Sequence, residues 1–187
     1  MSKSTPDQTE NHQEFSRKEL RDKALKRYEK ERIRNKLATP GKHQFILILD
    51  NLKAGFNVPK LFRSAEAFGA KEIHLINIGF FDPAAAKGSF RKVPAVFHES
   101  FDSCFEDLIQ REYQIFALDL DTDHKLGEIE FPVKSAFILG NEERGISFDL
   151  AQYPQIKKIK IPQHGDVQSL NVSIAGSIVM YEYTRRL

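Results

Sequence analysis

The sequence predicts an α/β domain: a mainly parallel sheet flanked by helices and preceded by a basic N-terminal helix. Six short apolar runs recur between residues 44 and 162 with helix-forming stretches between them, the alternation of crossover units in a parallel sheet. The chain has 187 residues, room for one main domain with a sizeable core and not comfortably for two. Hydrophobic residues make up 41% and charged residues 29%, which excludes collagen-like, fibrous and wholly disordered classes.

Residues 1–15 are polar with almost no apolar periodicity, so they cannot offset the entropy cost of ordering and are expected to remain mobile. Residues 16–37 are strong helix formers, with Ser16 as a candidate cap and Leu20, Leu25, Tyr28, Ile33 and Leu37 as a thin apolar seam. The run ATPGK at 38–42 carries the Pro-Gly punctuation of a helix stop and linker. The boundary therefore falls between a mobile tail with a basic helical arm, 1–42, and a domain at 43–187. Residues 1–42 hold 12 Lys and Arg against 7 Asp and Glu, while the remainder holds 16 against 19, so the positive charge is concentrated in the arm. Strands are expected at 44–50, 72–78, 93–99, 114–120, 135–140 and 156–162. Helices are expected near 57–68, 83–88, 102–111 and 147–152, with a last one over 168–185.

No apolar run approaches the roughly 20 residues of a membrane span, and the first 40 residues lack the apolar core of a secretory signal, which points to the cytoplasm. The single cysteine, Cys104, can form no internal disulfide and no Cys-based cage, and is read as core. The histidines at 12, 43, 74, 98, 124 and 164 form no helical His-x-x-x-His pair and no cluster at metal spacing, so no metal is expected. Neither glycine-rich nucleotide cradle is present, and no G-x-S-x-G elbow suggests an acyl hydrolase.

Three segments remain in which polar and glycine residues follow directly on apolar strands, where ligands sit in open α/β sheets: 50–69, 138–147 and 161–182. Taken singly, each also has a structural reading. Asn57 can cap the helix after it and Arg63 can be a solvated helix residue; LGNEERG can be a turn whose glycines take awkward backbone angles; Ser169 can cap the last helix, with Asn171 serving the same turn.

Together the three resemble, in order and spacing, the signature motifs of the SpoU (TrmH-like) RNA ribose 2′-O-methyltransferases of the SPOUT superfamily. Asn57, Val58, Arg63, Ser64, Ala65, Phe68 and Gly69 match the first motif, and Gly140, Glu142 and Gly145 the second. Ile161, Pro162, Ser169, Leu170, Asn171, Val172, Ser173 and Ala175 match the third, so the resemblance runs from about residue 44 to the C-terminus. Pro59 stands where the family usually has glycine, and Ser64 where threonine is commoner; proline is tolerated in a first helical turn because its missing N–H would be unsatisfied there.

The resemblance implies a SPOUT-type fold with a C-terminal trefoil knot, S-adenosyl-L-methionine as methyl donor, a ribose 2′-hydroxyl of tRNA or rRNA as acceptor, and a homodimer with no metal. It assigns catalysis to Arg63, Asn57, Glu142, Ser169 and Asn171. Arg63 is expected to clamp a phosphate; Asn57, Ser169 and Asn171 to hold the ribose and loops; and Glu142 to order the glycine-rich turn or orient Arg63. It places the donor against main-chain groups around Leu118, Gly140, Ile161 and Leu170. The basic arm suits the salt-dependent phosphate contacts of RNA binding, with Lys87, Arg91 and Lys92 as a second basic patch. The small residues Ser173, Ala175, Gly176 and Ser177 allow close approach to the last helix, by an intradomain element or by a second subunit. Two rival readings are a non-catalytic RNA-binding module that keeps the fold and a small-molecule α/β enzyme; the second leaves the basic arm without a purpose.

Overall fold

The computed structural model describes residues 16–187, and the expectation for the tail at 1–15 lies outside them. Six strands form one sheet: β1 (Phe45–Asp50), β2 (Glu72–Ile76), β3 (Ala95–His98), β4 (Gln114–Leu118), β5 (Ser135–Leu139) and β6 (Lys157–Ile159). Their spatial order is β3-β2-β1-β5-β4-β6 and every pairing is parallel. The direction of winding reverses between β1 and β5, and the crevice at the carboxyl ends of such neighbours is where open α/β sheets take ligands.

Both faces of the sheet are covered, which explains the continuous apolar runs. Phe45, Leu47 and Leu49 of β1 point into one core with Phe62, Phe137 and Tyr183, while Ile46 and Ile48 point into the other with Phe101, Cys104 and Leu108. The helices are α1 (Arg17–Asn35), α2 (Asn57–Ala67), α3 (Phe101–Gln110) and α4 (Val172–Arg185). Gly176 of α4 lets that helix seat tightly: a Cβ there would come within 2.5 Å of Leu61 Cδ2 on α2 and 2.8 Å of Leu139 Cδ1 on β5.

The first helix is capped by Ser16 in a capping box with Glu19, as the sequence suggests. Its seam differs: Leu20, Leu25, Ile33 and Leu37 are exposed, and the buried positions are Ala24, Tyr28 and Asn35. Tyr28 packs among Phe80, Phe81 and Phe90, with ring centroids 5.1–5.8 Å away. Asn35 donates to the carbonyls of Phe90 and Val93 at 2.5 and 2.7 Å and accepts from the Ala95 N–H at 3.1 Å, so it also covers part of the exposed edge of β3. Arg27 pairs with Asp82 at 2.7 Å. Spaced contacts to turns, rather than a continuous groove, dock α1, which is why an unbroken apolar stripe is not needed.

Three expected helices differ. The stretch near 83–88 is two short 3-10 turns, Pro83–Ala86 and Ser89–Arg91, separated by Lys87 and Gly88 at φ of +51° and +89°. Near 147–152 only the turn Leu150–Gln152 forms, because Ser147 is tied to Asp50 by its N–H and hydroxyl at 2.5 and 2.7 Å. The last helix begins at Val172 rather than at 168, since Asn171, not Ser169, is its cap.

Candidate active site

The loops after β4, β5 and β6 and the start of α4 enclose a cleft of about 580 Å³. Leu118, Gly140, Ile161 and Leu170, the four positions assigned to the donor, all line it, as do Glu142 and Ser169. Leu139, Ile159 and Val172 add apolar wall, and Asp119, Glu143 and Asp149 add carboxylates.

The loop after β5 is shaped by backbone chemistry. A Cβ on Gly140 would lie 2.5 Å from the Gly145 carbonyl carbon and 2.6 Å from the Ile146 nitrogen, so only glycine permits that fold-back. Asn141 and Gly145 exchange N–H···O bonds of 2.8 and 2.9 Å. The Asn141 side chain accepts from the N–H groups of Glu143 and Arg144 and donates to the Asn51 carbonyl at 2.7 Å. Asn141 and Asp50 therefore organise the loop. Sequence reasoning missed both; for Asp50 the available signal was a strand-terminal Asp followed by Asn.

Glu142 thus leaves the turn to Asn141, and it does not contact Arg63. Its carboxylate accepts from Asn57 Nδ2 at 2.8 Å and from the Lys53 N–H at 3.2 Å. Asn171 Nδ2 in turn donates to Asn57 Oδ1 at 3.2 Å, and Asn171 Oδ1 accepts from the Ser173 N–H at 3.0 Å. One chain of hydrogen bonds, Asn171 to Asn57 to Glu142, therefore joins the three sequence motifs across the β1–β5 crevice. Asn57 is the first residue of α2 and makes no cap; its side chain is committed to this chain instead.

Arg63 lies apart from the cleft. It is exposed on α2 in a shallow groove between α2 and α4, with Lys60, Ser64, Phe68, Ser173 and Ser177. Ser64 and Ser177 share a hydrogen bond of 2.9 Å across the groove floor. The start of α4 divides the two spaces: Val172 and Ala175 face the cleft, while Ser173, Ile174 and Ser177 face the groove. Within one subunit Arg63 and Ser169 therefore belong to different cavities. Of the second basic patch, Lys92 is paired with Glu66 at 2.7 Å.

At the far wall Asp119 and Lys158 form an ion pair of 2.8 Å. Burial alone would raise the Asp119 pKa, but hydrogen bonds from Lys158 and the Asp121 N–H outweigh it and hold the carboxyl below its usual range. The same contact raises the pKa of Lys158. Gln163 Oε1 is buried beside the cleft without a partner among the described residues, an acceptor available to a ligand's hydroxyl or amine.

An archaeal protein described as an uncharacterized tRNA/rRNA methyltransferase, from Archaeoglobus fulgidus, is 33% identical over 150 residues; the match spans 76% of this chain and 65% of that protein. The tRNA (guanosine(18)-2′-O)-methyltransferase of Thermus thermophilus is 28% identical over 145 residues, 75% of this chain and 74% of that protein. A SpoU methyltransferase of Streptomyces viridochromogenes, solved in complex with the cofactor AdoMet, superposes with a TM-score of 0.68 at 22% identity, over 78% of this chain and 58% of the other. The model of the SpoU rRNA Methylase family matches residues 44–181, which contain β1 to β6, the cleft and all three motifs. This chain belongs to the SpoU methylase family.

Proposed function

We propose that this protein is an S-adenosyl-L-methionine-dependent methyltransferase that modifies a ribose 2′-hydroxyl of tRNA or rRNA in the cytoplasm. The observation that carries the reading is the hydrogen-bond chain from Asn171 through Asn57 to Glu142, which holds three distant segments around a cleft lined by the four donor positions. The residues present fit the donor. Apolar walls suit an adenine ring, carboxylates suit a cationic donor, and the bare backbone of Gly140 and the unpartnered oxygen of Gln163 suit close polar approach. When bound, the donor supplies a methyl group already activated as a sulfonium.

The protein's task is then to align the hydroxyl and manage its proton. A guanidinium does not give up its proton in proteins, so Arg63 serves as a clamp: it grips a phosphate beside the target nucleotide while a phosphate oxygen or water accepts the hydroxyl proton. Asn57 and Asn171 act as a frame, since their amides are engaged with one another and with Glu142. Ser169 lines the same cleft.

A homodimer is supported by the Arg63 groove, where Ile174 and Tyr181 of α4 are 52% and 56% exposed. Within one subunit Arg63 and the cleft are apart, so a site that uses both calls for a second subunit seated on this groove. Light scattering on the eluted protein reads the mass. The trefoil knot is supported by the bridge between Lys125 and Lys160, which lays the chain after β6 beside the loop after β4. The basic outer face of α1 supplies RNA contacts.

Incubation with total RNA and methyl-labelled donor tests the activity: label should appear in ribose 2′-O positions, mapped against RNA from cells lacking the protein. RNA binding without incorporated label would favour the non-catalytic module.

A further inference from the structure

Away from the cleft, β2, β3 and α3 bring together three side chains that sequence spacing did not connect. His74 on β2 and Cys104 on α3 are fully buried, and His98 at the end of β3 is half-buried. His74 Nδ1 lies 3.0 Å from His98 Nε2 and 3.2 Å from Cys104 Sγ. On its other side His74 Nε2 is 2.9 Å from Glu72 Oε1, and Arg111 holds that carboxylate at 2.6 Å. His98 Nδ1 is 3.2 Å from Ser103 Oγ, which donates to the Ser100 carbonyl at 3.2 Å.

The protons of this cluster can be placed so that two ring lone pairs face one another. A carboxylate only accepts, so His74 Nε2 carries a proton and Nδ1 of the neutral ring has one lone pair. Both His98 Nε2 and Cys104 Sγ face that single lone pair. In the tautomer where His98 donates from Nδ1 to Ser103 Oγ, whose own proton goes to the Ser100 carbonyl, His98 Nε2 is a second lone pair facing the first. Two imidazole lone pairs and a sulfur converging on one point are what a soft-to-borderline cation satisfies.

We propose that His74 Nδ1, His98 Nε2 and Cys104 Sγ bind one zinc ion, with Glu72 and Ser103 orienting the two rings from behind. A histidine ligand that passes its other N–H to a carboxylate is the usual way such a ring is fixed. The His74–His98 and His74–Cys104 separations fall short of the edges, about 3.3–3.6 Å, of a tetrahedron with ordinary Zn–N and Zn–S lengths, and all three ligand atoms lie within 4.8 Å of one another, so His74 opens from the other two by a few tenths of an ångström on binding. The thiol proton of Cys104 leaves to solvent as the sulfur coordinates, and both imidazoles stay neutral. Water reaches the fourth position from the half-exposed side of His98. The neighbouring trio of Glu72, His74 and Asp107 is not a second site, because Arg111 already supplies its cation, donating to Glu72 at 2.6 Å and Asp107 at 2.8 Å. A zinc ion here ties the β3 edge of the sheet to α3, outside the residues that handle donor and RNA.

The test uses the full chain without a histidine tag, stripped by chelator and titrated with zinc or cobalt. One equivalent should bind at micromolar metal, and the cobalt form should show a thiolate charge-transfer band with the visible bands of tetrahedral coordination. Cys104→Ala should abolish the charge-transfer band, and Cys104→Ala and His98→Gln should each weaken zinc binding about 100-fold, while Glu72→Gln should weaken it about 10-fold. Wild-type protein that is folded yet takes up no metal would mean a hydrogen-bond network only and overturn the proposal. Unchanged affinity in both ligand variants would overturn it equally. If Cys104→Ala does not fold, the wild-type cobalt spectrum decides alone: bound cobalt without a thiolate band excludes this site.

Discussion

The side-chain amide of Asn171 donates to Asn57 Oδ1 at 3.2 Å while its own oxygen caps α4, so one residue fixes both the start of the last helix and the tip of α2. Asn171→Ala removes both bonds. It should cost about 1 kcal/mol of stability, the usual value of a helix cap, and weaken donor binding about 10-fold through the displaced Glu142 loop. Asn171→Asp keeps the cap oxygen but loses the donor to Asn57, so its melting temperature should stay near wild type while donor affinity still falls. Calorimetric titration with the donor beside thermal melts separates the two effects; equal melting and binding losses in both variants would refute the frame.

Arg63 sits in the groove rather than the cleft, which separates its effects from those of the donor site. Arg63→Ala should lower kcat by roughly 100-fold or more, as loss of one charge-stabilising contact does, with donor affinity unchanged. Arg63→Lys keeps the charge but not the planar fork and should recover only part of the rate. Wild-type turnover in Arg63→Lys would sink the bidentate clamp.

The central strands were legible because a sheet buried on both faces writes itself as near-continuous apolar runs, as in Phe45–Asp50 and Ser135–Leu139, whereas the edge strand Lys157–Ile159 is partly exposed and carries two lysines. That Leu118, Gly140, Ile161 and Leu170 line one cleft was legible only through the motif resemblance: they are separated in sequence by up to 52 positions and meet only because of strand order. Helix ends failed where a side chain made a tertiary bond instead of a local one, as Ser147 does with Asp50. The meeting of His74, His98 and Cys104 was hidden for the same reason, since their spacing matches no local ligand pattern and parallel register alone brings β2 beside β3.

Gly140 offers the sharpest test of the cleft's backbone. Gly140→Ala places a methyl 2.5 Å from backbone atoms of Gly145 that cannot swing aside. The expected cost is about 1–3 kcal/mol of stability, with donor binding lost as the 140–146 loop shifts. Gly145→Ala has open space around its Cβ and suffers only from φ of +70°, so it should cost about 1 kcal/mol. Denaturant midpoints and donor titrations of the pair check the order.

Because α1 contributes Tyr28 to the core and Asn35 to the β3 edge, removing residues 1–42 tests stability as much as RNA binding. Tyr28→Ala alone should cost about 3–5 kcal/mol, the range for a buried aromatic. Charge substitutions on the exposed face separate the two roles. Lys18→Glu, Arg21→Glu and Lys30→Glu together should leave the melting temperature close to wild type, weaken RNA binding and flatten its dependence on salt, with donor affinity unchanged. An unaltered salt slope would remove the arm from the RNA surface.

The far end of α4 carries a pH-dependent lock. Glu182 accepts hydrogen bonds from Arg185 at 2.8–3.0 Å and from Arg186 at 2.7 Å, and Arg186 also donates to the carbonyls of Gly127 and Ile129, pinning α4 to the 127–129 turn. Burial alone would raise the Glu182 pKa, but hydrogen bonds from the two guanidiniums outweigh it and hold the carboxyl below its usual range. A carboxyl whose folded pKa is lowered stabilises the fold fully above its unfolded value and loses that stabilisation as pH falls through the folded one. Urea midpoints of the wild type should therefore drop as pH falls from about 5 to 3, while those of Glu182→Gln should start lower and depend less on pH, so that the two curves converge in acid. Parallel curves across that window would show that Glu182 titrates alike in the folded and unfolded chain and contributes no lock.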